Sequence, residues 1–254
     1  MGIPCGHRNI NRFKNMKVDI LAFGVHPDDI ELCAAGTLLR HLDLGYSVAL
    51  CDLTQGELGT RGTATLRLQE ADKARLILGD LPRENLGLAD GFFQHNQESI
   101  VKIAEIIRHY RPEIVLANAI SDRHPDHGRA SKLVSDACFF SGLVKIQTID
   151  AQKKSQKPWR PKAVYHYIQD RNIKADLVVD ISNYMDKKIE SIMAYSSQFY
   201  NPDSVEPETP ISSKAFIDFI KAKNRYLGRD IGVDYAEGFT VERNIGVKNF
   251  FDLT

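Results

Sequence analysis

Short, nearly uninterrupted apolar runs alternate along this chain with stretches of helical period, and that alternation constrains the fold more than any other feature. The runs VDILAFGV (18–25), SVALCDLT (47–54) and EIVLANA (113–119) read as strands, with AVYHYIQ (163–169) and ADLVVDIS (175–182) further on. Amphipathic stretches over about residues 28–44, 64–78, 97–110, 128–140, 183–199 and 212–227 read as helices. Gly45, Gly79 and Pro112 stand where three of them should stop. A strand apolar along its whole length is buried on both faces, which predicts an α/β fold with a mostly parallel sheet and helices on both sides. The short segment ENLGLADG (84–91), which precedes the helix at 97–110, is given no element.

Composition narrows the class. The 254 residues are 43% hydrophobic and 26% charged, enough to bury a sizeable core, and neither repeats nor low-complexity tracts divide them. Residues 17–254 are therefore expected to form one domain behind a flexible leader, 1–16, and the polar run DAQKKSQKPWRPK (150–162) is expected to be a mobile insertion. Lys plus Arg and Asp plus Glu both number 33, so no basic excess favours nucleic acid or an anionic membrane. No apolar run approaches the roughly 18 residues of a membrane span, and the leader lacks a signal-type apolar stretch. The expected setting is the cytoplasm. Cys5, Cys33, Cys51 and Cys138 form no CxxC pair and are expected as free thiols.

Two of the strand-like runs end in nearly the same words. HPDD (26–29) follows the first, and HPDH (124–127) follows the run at 113–119. Ligands of open α/β sheets bind outside the carboxyl ends of the strands, so both loops should open on one edge. His26 and Asp29 are i,i+3, as are His124 and His127, and such pairs are neighbours on a helical turn. Zinc takes imidazole and carboxylate, and a catalytic site keeps three protein ligands beside an open position. His26, Asp29 and one HPDH histidine would supply that set, leaving Asp28 free as a general base. The competing reading of each motif alone is a helix start, where Pro and acidic residues are welcome.

Together these motifs resemble the PIG-L/LmbE-like zinc N-deacetylases, built on a Rossmann-like sheet. The resemblance runs from about Lys17 to Asp252 and includes LTQGELGTRGT, LRLQEA, LGLADG, YSSQFYNP and YAEGF. The last three resemble the bacillithiol-biosynthesis branch, which implies a small sugar-conjugate substrate, N-acetylglucosaminyl malate, and a homo-oligomer, often a hexamer. The resemblance implies one zinc held by His26, Asp29 and His127, with Asp28 as general base. It places His124, taken as protonated, near the developing oxyanion or the leaving amine, and Asp126 as a group that holds or polarises a histidine. The same ligand set also suits ferrous iron.

Arg61, in the glycine-rich loop after the second strand, is expected to anchor the malate carboxylates, because Arg binds carboxylate bidentately. Glu57 is expected to contact sugar hydroxyls or to cap that loop, and Asp90 matches a family position in the sugar pocket. Arg123 adds positive charge or lies in solvent, Glu31 belongs to the first helical turn, and His166 reads as a core histidine. Rival readings are deacetylation of another N-acetylglucosamine derivative and, from a different class, a non-catalytic metal- or nucleotide-binding module. Against the nucleotide module, no GxGxxG follows the first strand and no GxxxxGK[ST] occurs.

Overall fold

The first strand, β1 (Ile20–Gly24), is buried along its whole length and pairs in parallel on both sides. The computed structural model describes residues 16–253, so the leader expected at 1–16, with Cys5, lies outside the described residues but for Met16. β2 (Val48–Thr54) and β4 (Ile114–Ala117) flank β1. β3 (Arg83–Leu88), β5 (Ala163–Tyr167), β6 (Leu177–Asp180) and β7 (Ala236–Val241) complete one sheet in the order β3-β2-β1-β4-β5-β7-β6. Alternate residues of β1 face opposite layers, as the two-residue period requires. Leu21 and Phe23 join a core with Ile103, Ile107, Leu133 and Val134, whereas Ile20 and Ala22 pack with Leu38, Leu39 and Leu78. These layers contain α4 (Gln97–Tyr110) and α5 (Pro125–Ser141) on one face, and α2 (Ala35–Asp43) on the other.

The sheet is parallel from β3 through β5, and β7 then runs antiparallel to both β5 and β6. Two of its strands escape the periodicity. β3 forms from the unassigned RENLGL segment, a half-exposed edge whose Gly87 adopts φ 59° beside a register shift opposite Asp52–Thr54. β7 forms from AEGFTV, in which Glu237 is buried, so the segment lacks an apolar run.

The helix expected over 28–44 is two helices, α1 (Asp29–Cys33) and α2, broken at Ala34 with φ −137°. Glu237 causes the restart: its carboxylate accepts the N–H groups of Gly36 (3.1 Å) and Thr37 (2.7 Å) and caps α2 from across the sheet. α3 (Ala64–Ile77) starts at Thr63, whose hydroxyl accepts the Leu66 N–H. α6 (Met185–Met193) stops well short of residue 199 because Glu70 of α3 takes the Ser197 N–H (2.8 Å) and both serine hydroxyls of YSS. α7 (Lys214–Arg229) begins at Ser213. The polar run 150–162 is tied down rather than looped out, with Trp159 donating to the Pro112 carbonyl at 2.7 Å and packing on the core. Cys33, Cys51 and Cys138 are buried free thiols.

Candidate active site

β1 and β4 are adjacent, yet the connections from them diverge, since β1 leads on to β2 and β4 to β5 on the opposite side. That divergence is a topological switch point, and the crevice above it is where such sheets take ligands. Both HPD loops open there. In the first, Asp28 adopts φ 137°, a region that residues other than glycine rarely occupy. In the second, Pro125 starts α5 and His124 caps it, accepting the Asp126 N–H on Nδ1 at 3.3 Å. A cavity of about 300 Å³ opens between the loops, walled on its far side by residues 209–211 and by one face of α7.

His26, Asp29 and His127 converge at its base, with one potential ligand atom of each lying within 4.8 Å of the others. Tetrahedral ligands about 2.1 Å from zinc sit about 3.4 Å apart. His127 Nε2 is 3.3 Å from Asp29 Oδ1, and His26 Nδ1 is 3.7 Å from Asp29 Oδ2. The two distances run to different oxygens of Asp29, so the three donors, all within 4.8 Å of one another, would draw in somewhat to hold one metal. A second grouping, His26 with His124 and Asp126, lies beside it.

The surrounding shell orients these donors. Asp122 Oδ2 lies 2.5 Å from His127 Nδ1, which leaves Nε2 free to face Asp29. Asp29 accepts the N–H groups of Val25 and His26 (2.9 and 3.0 Å), Asn118 Nδ2 (2.9 Å) and Gln169 Nε2 (3.0 Å). Asp122, Asn118 and Gln169 were not foreseen. A polar residue closing each apolar run, Asn118 after IVLA and Gln169 after AVYHYI, was the available signal.

Electrostatics supports the same fit. Asp28, Asp29, Asp90, Asp122 and Asp126 crowd this base and are all buried. Burial pulls the His26 imidazole down, but hydrogen bonds to Asp126 and Asp90 and the charges of Asp29 and Asp28 outweigh it, raising it to about 10. Burial opposes protonation of His127 as well, yet Asp29 and Asp122 raise it to about 9. Burial alone would raise Asp29; the charges of His127 and His26 instead hold its carboxyl far below the usual range. Two imidazolium protons thus stand where one divalent cation would balance the same carboxylates.

Asp28 sits at the rim of this group. Burial pushes its carboxyl up, against the charge of Arg67, whose Nη2 donates to Oδ2 at 2.7 Å. Arg67 is further fixed by the Pro27 carbonyl and by Gln198 Oε1, both at 3.0 Å. Its guanidinium passes under the glycine-rich loop, where a Cβ on Gly56 (φ 64°) or Gly59 would lie 3.0 or 3.2 Å from it. The glycines of QGELG thus seat an arginine rather than a phosphate. His124 was expected as an imidazolium; in the metal-free site its surroundings disfavour the charged ring. Burial and the charges of His26 and His127 lower it, and with Nδ1 accepting a backbone N–H the neutral ring carries its proton on Nε2.

The remaining expected residues divide. Asp90 lines the cavity, 3.0 Å from His26 Nε2, and its other oxygen accepts the Leu58 N–H. Asp126 is fully buried, accepts from Gly91 N–H and Arg129, and lies 3.8 Å from His26 Nε2. Glu57 braces its own loop through the N–H groups of Gln55 and Asp90 and does not line the cavity. Arg61 does not line it either: it is 4% exposed and turned to Ser204 and Glu206. Arg123 does line it, paired with Asp170. Glu31 is buried against Arg83 and Tyr195, and His166 is a core histidine bonded to Ser131, Asn118 and Glu242.

Residues 21–138 match the model of the family described as PIG-L, GlcNAc-PI de-N-acetylase. The fold superposes on the crystal structure of the conserved protein TT1542 from Thermus thermophilus with a TM-score of 0.79 at 35% identity, covering 92% of this chain and 98% of that one. The chain belongs to the PIG-L/LmbE-like deacetylase family. As a PIG-L protein it is an enzyme that hydrolyses an amide. Diacetylchitobiose deacetylase of Thermococcus kodakarensis is 29% identical over 239 residues, spanning 90% of this chain and 85% of that protein. A probable N-acetyl-alpha-D-glucosaminyl L-malate deacetylase 2 of Bacillus anthracis is 26% identical over 207 residues, spanning 73% of this chain and 83% of that protein.

Proposed function

We propose that this enzyme removes the N-acetyl group of a glucosamine conjugate, with zinc held by His26, Asp29 and His127. The observation that carries the reading is the convergence of those three side chains at the switch point, with Asp28 beside them and spare of ligand duty. The donor set also suits ferrous iron, which metal analysis of purified protein distinguishes. When bound, the metal would supply Lewis-acid polarisation of the amide carbonyl and a water of lowered pKa.

The chain's own groups do the rest. Asp28, raised by burial, takes a proton as the water oxygen bonds to the acetyl carbon. His124 presents its Nε2–H to the carbonyl oxygen as that oxygen gains charge. The C–N bond then breaks, acetate leaves, and the amine nitrogen gains a proton; Asp28, having just taken one, holds a proton to give. Asp126 and Asp90 fix the His26 ring from its Nε2 side. Asp122 does the same for His127 from Nδ1.

For the conjugate we propose N-acetylglucosaminyl malate. Support comes from the malate-deacetylase relative and from Lys223, a cation that lines the cavity. The same reading carries a cytoplasmic homo-oligomer, hexameric as the resemblance implies, which a mass measurement in solution checks. The deciding assay is release of free amine from N-acetylglucosaminyl malate, N-acetylglucosamine and diacetylchitobiose, by wild type and Asp28→Ala of known metal content. Preference for the malate conjugate, lost in Asp28→Ala with metal retained, is the expected result. Equal turnover of all three keeps the deacetylase and rejects the malate reading. No amine from any of them rejects N-deacetylation of these sugars.

A further inference from the structure

Of the three Lys and Arg side chains that line the cavity among the described residues, two already face a carboxylate. Arg67 is spent on Asp28, Pro27 and Gln198, and Arg123 Nε lies 2.5 Å from Asp170 Oδ2. Lys223 is different. Its ammonium donates to the Ile168 carbonyl at 3.0 Å, and among the described residues no carboxylate lies within 4.0 Å of it. An ammonium carries three donors, so two remain unspent. Burial pulls it below its ordinary value, against the more distant charges of Asp122 and Asp170, neither of which pairs with it directly.

Its position ties it to the reacting centre. Phe216, Phe219, Ile220 and Lys223 share one face of α7, at the i, i+3, i+4 and i+7 spacing, and all four line the cavity. Ile168, which holds the ammonium, directly precedes Gln169, whose amide reaches Asp29 at 3.0 Å. Ile211 and the α7 side chains Phe216, Phe219 and Ile220 make this part of the lining apolar. In such surroundings an ion pair is screened less than in water, so one anion placed there is held firmly.

We propose that Lys223 is the anion anchor of this cavity, taking a carboxylate of the substrate that lies outside the hydrolysed amide. The two unspent ammonium donors meet the carboxylate oxygens, and the Phe216–Phe219–Ile220 face covers the carbon skeleton between sugar and acid. Lys223, rather than the buried Arg61, then sets the preference for an acidic conjugate. The substrate class rests on the deacetylase reading above; the anion site does not.

Two measurements separate them. The first compares kcat/KM for N-acetylglucosaminyl malate with that for the neutral methyl glycoside of N-acetylglucosamine. In Lys223→Met the ratio should fall about ten- to hundredfold, through KM, as loss of a charged hydrogen bond predicts, and Lys223→Arg should restore most of it. The second titrates L-malate into metal-loaded wild type and Lys223→Met by calorimetry, which needs no turnover. Binding that weakens by the same order supports the anchor even if no N-acetyl sugar is hydrolysed, in which case the deacetylase reading alone fails. An unchanged ratio overturns the anchor even while amine is released, and so does malate binding that is absent or indifferent to Lys223. Should the Met variant fail to fold, Lys223→Gln gives the same readouts.

Discussion

Arg67 Nη2 lies 2.7 Å from Asp28 Oδ2, and both side chains are buried. Asp28 sits at φ 137°, a conformation that its surroundings must impose, and the guanidinium holds its carboxylate in that position. If Asp28 is the general base proposed above, Arg67 acts on the reaction through it.

Replacing Arg67 with Gln should lower kcat by about a hundredfold or more, since small misplacements of a reacting group cost that much. Arg67 also holds the Asp28 carboxyl down against burial, so its loss should move the acidic limb of the rate profile to higher pH. A merely structural arginine would lower activity without shifting that limb. Rate–pH profiles of wild type, Arg67→Gln and Arg67→Lys at matched metal content decide between the two.

Asp122 touches His127 at 2.5 Å and would touch no metal itself. Asp122→Asn keeps the shape but removes the charge that orients and enriches the imidazole. Groups behind metal ligands typically cost ten- to a hundredfold in metal affinity or activity when replaced. Competitive chelation of the metal-loaded protein should show affinity falling by about that factor, while Asp122→Asn stays folded.

Much of this site was legible because its residues are local in sequence. HPDD and HPDH each put an i,i+3 pair on one helical turn, and apolar strands told where those turns begin. What escaped depends on distance. The Arg67–Asp28 contact spans 39 residues, and Gln169 reaches Asp29 across 140, so no window of the chain contains either pair. The same limit misdirected the expectation for Arg61: its loop lies on the functional edge, but its guanidinium meets the 204–206 segment, which sequence proximity did not reveal. β3 and β7 escaped because an edge strand and an antiparallel strand bearing a buried acid need not be apolar.

Metal uptake should release protons. Without metal, His26 and His127 hold their protons up to about pH 10 and about pH 9, both above the ordinary 6.5. A folded-state value raised in this way stabilises the metal-free fold fully below about pH 6.5 and ceases to do so as pH rises through 9 to 10. The metal-free protein should accordingly lose thermal stability across that window, while the metal-loaded protein holds it. Near neutral pH, zinc binding followed in weakly buffered solution should release about two protons, and its apparent affinity should climb with pH. A metal-free protein whose melting temperature is flat from pH 7 to 10 would contradict the charge balance described here.

Glu237 joins three elements. Its Oε1 lies 2.5 Å from Lys188 Nζ and 3.1 Å from the Gly36 N–H, its Oε2 takes the Thr37 N–H at 2.7 Å, and Lys188 also holds the Leu32 carbonyl at 2.8 Å. β7, α6 and the start of α2 are thereby pinned, which gives the YAEGF segment a structural role. In Glu237→Gln the Lys188 ammonium would remain buried without its counter-charge, which costs about 3–5 kcal/mol. For a chain of this size each kcal/mol moves the melting temperature by about 2–4 °C, so a drop on the order of 10 °C is expected. Neither side chain lines the cavity, so activity per folded molecule should hold at temperatures below the new transition. Removing both charges in Lys188→Met with Glu237→Leu should recover part of the loss, because an apolar pair leaves no buried charge unanswered. Recovery stops short of wild type, since the Gly36 and Thr37 N–H groups lose their acceptor. A double variant no more stable than Glu237→Gln would show that the cap on α2, rather than the ion pair, carries the stability.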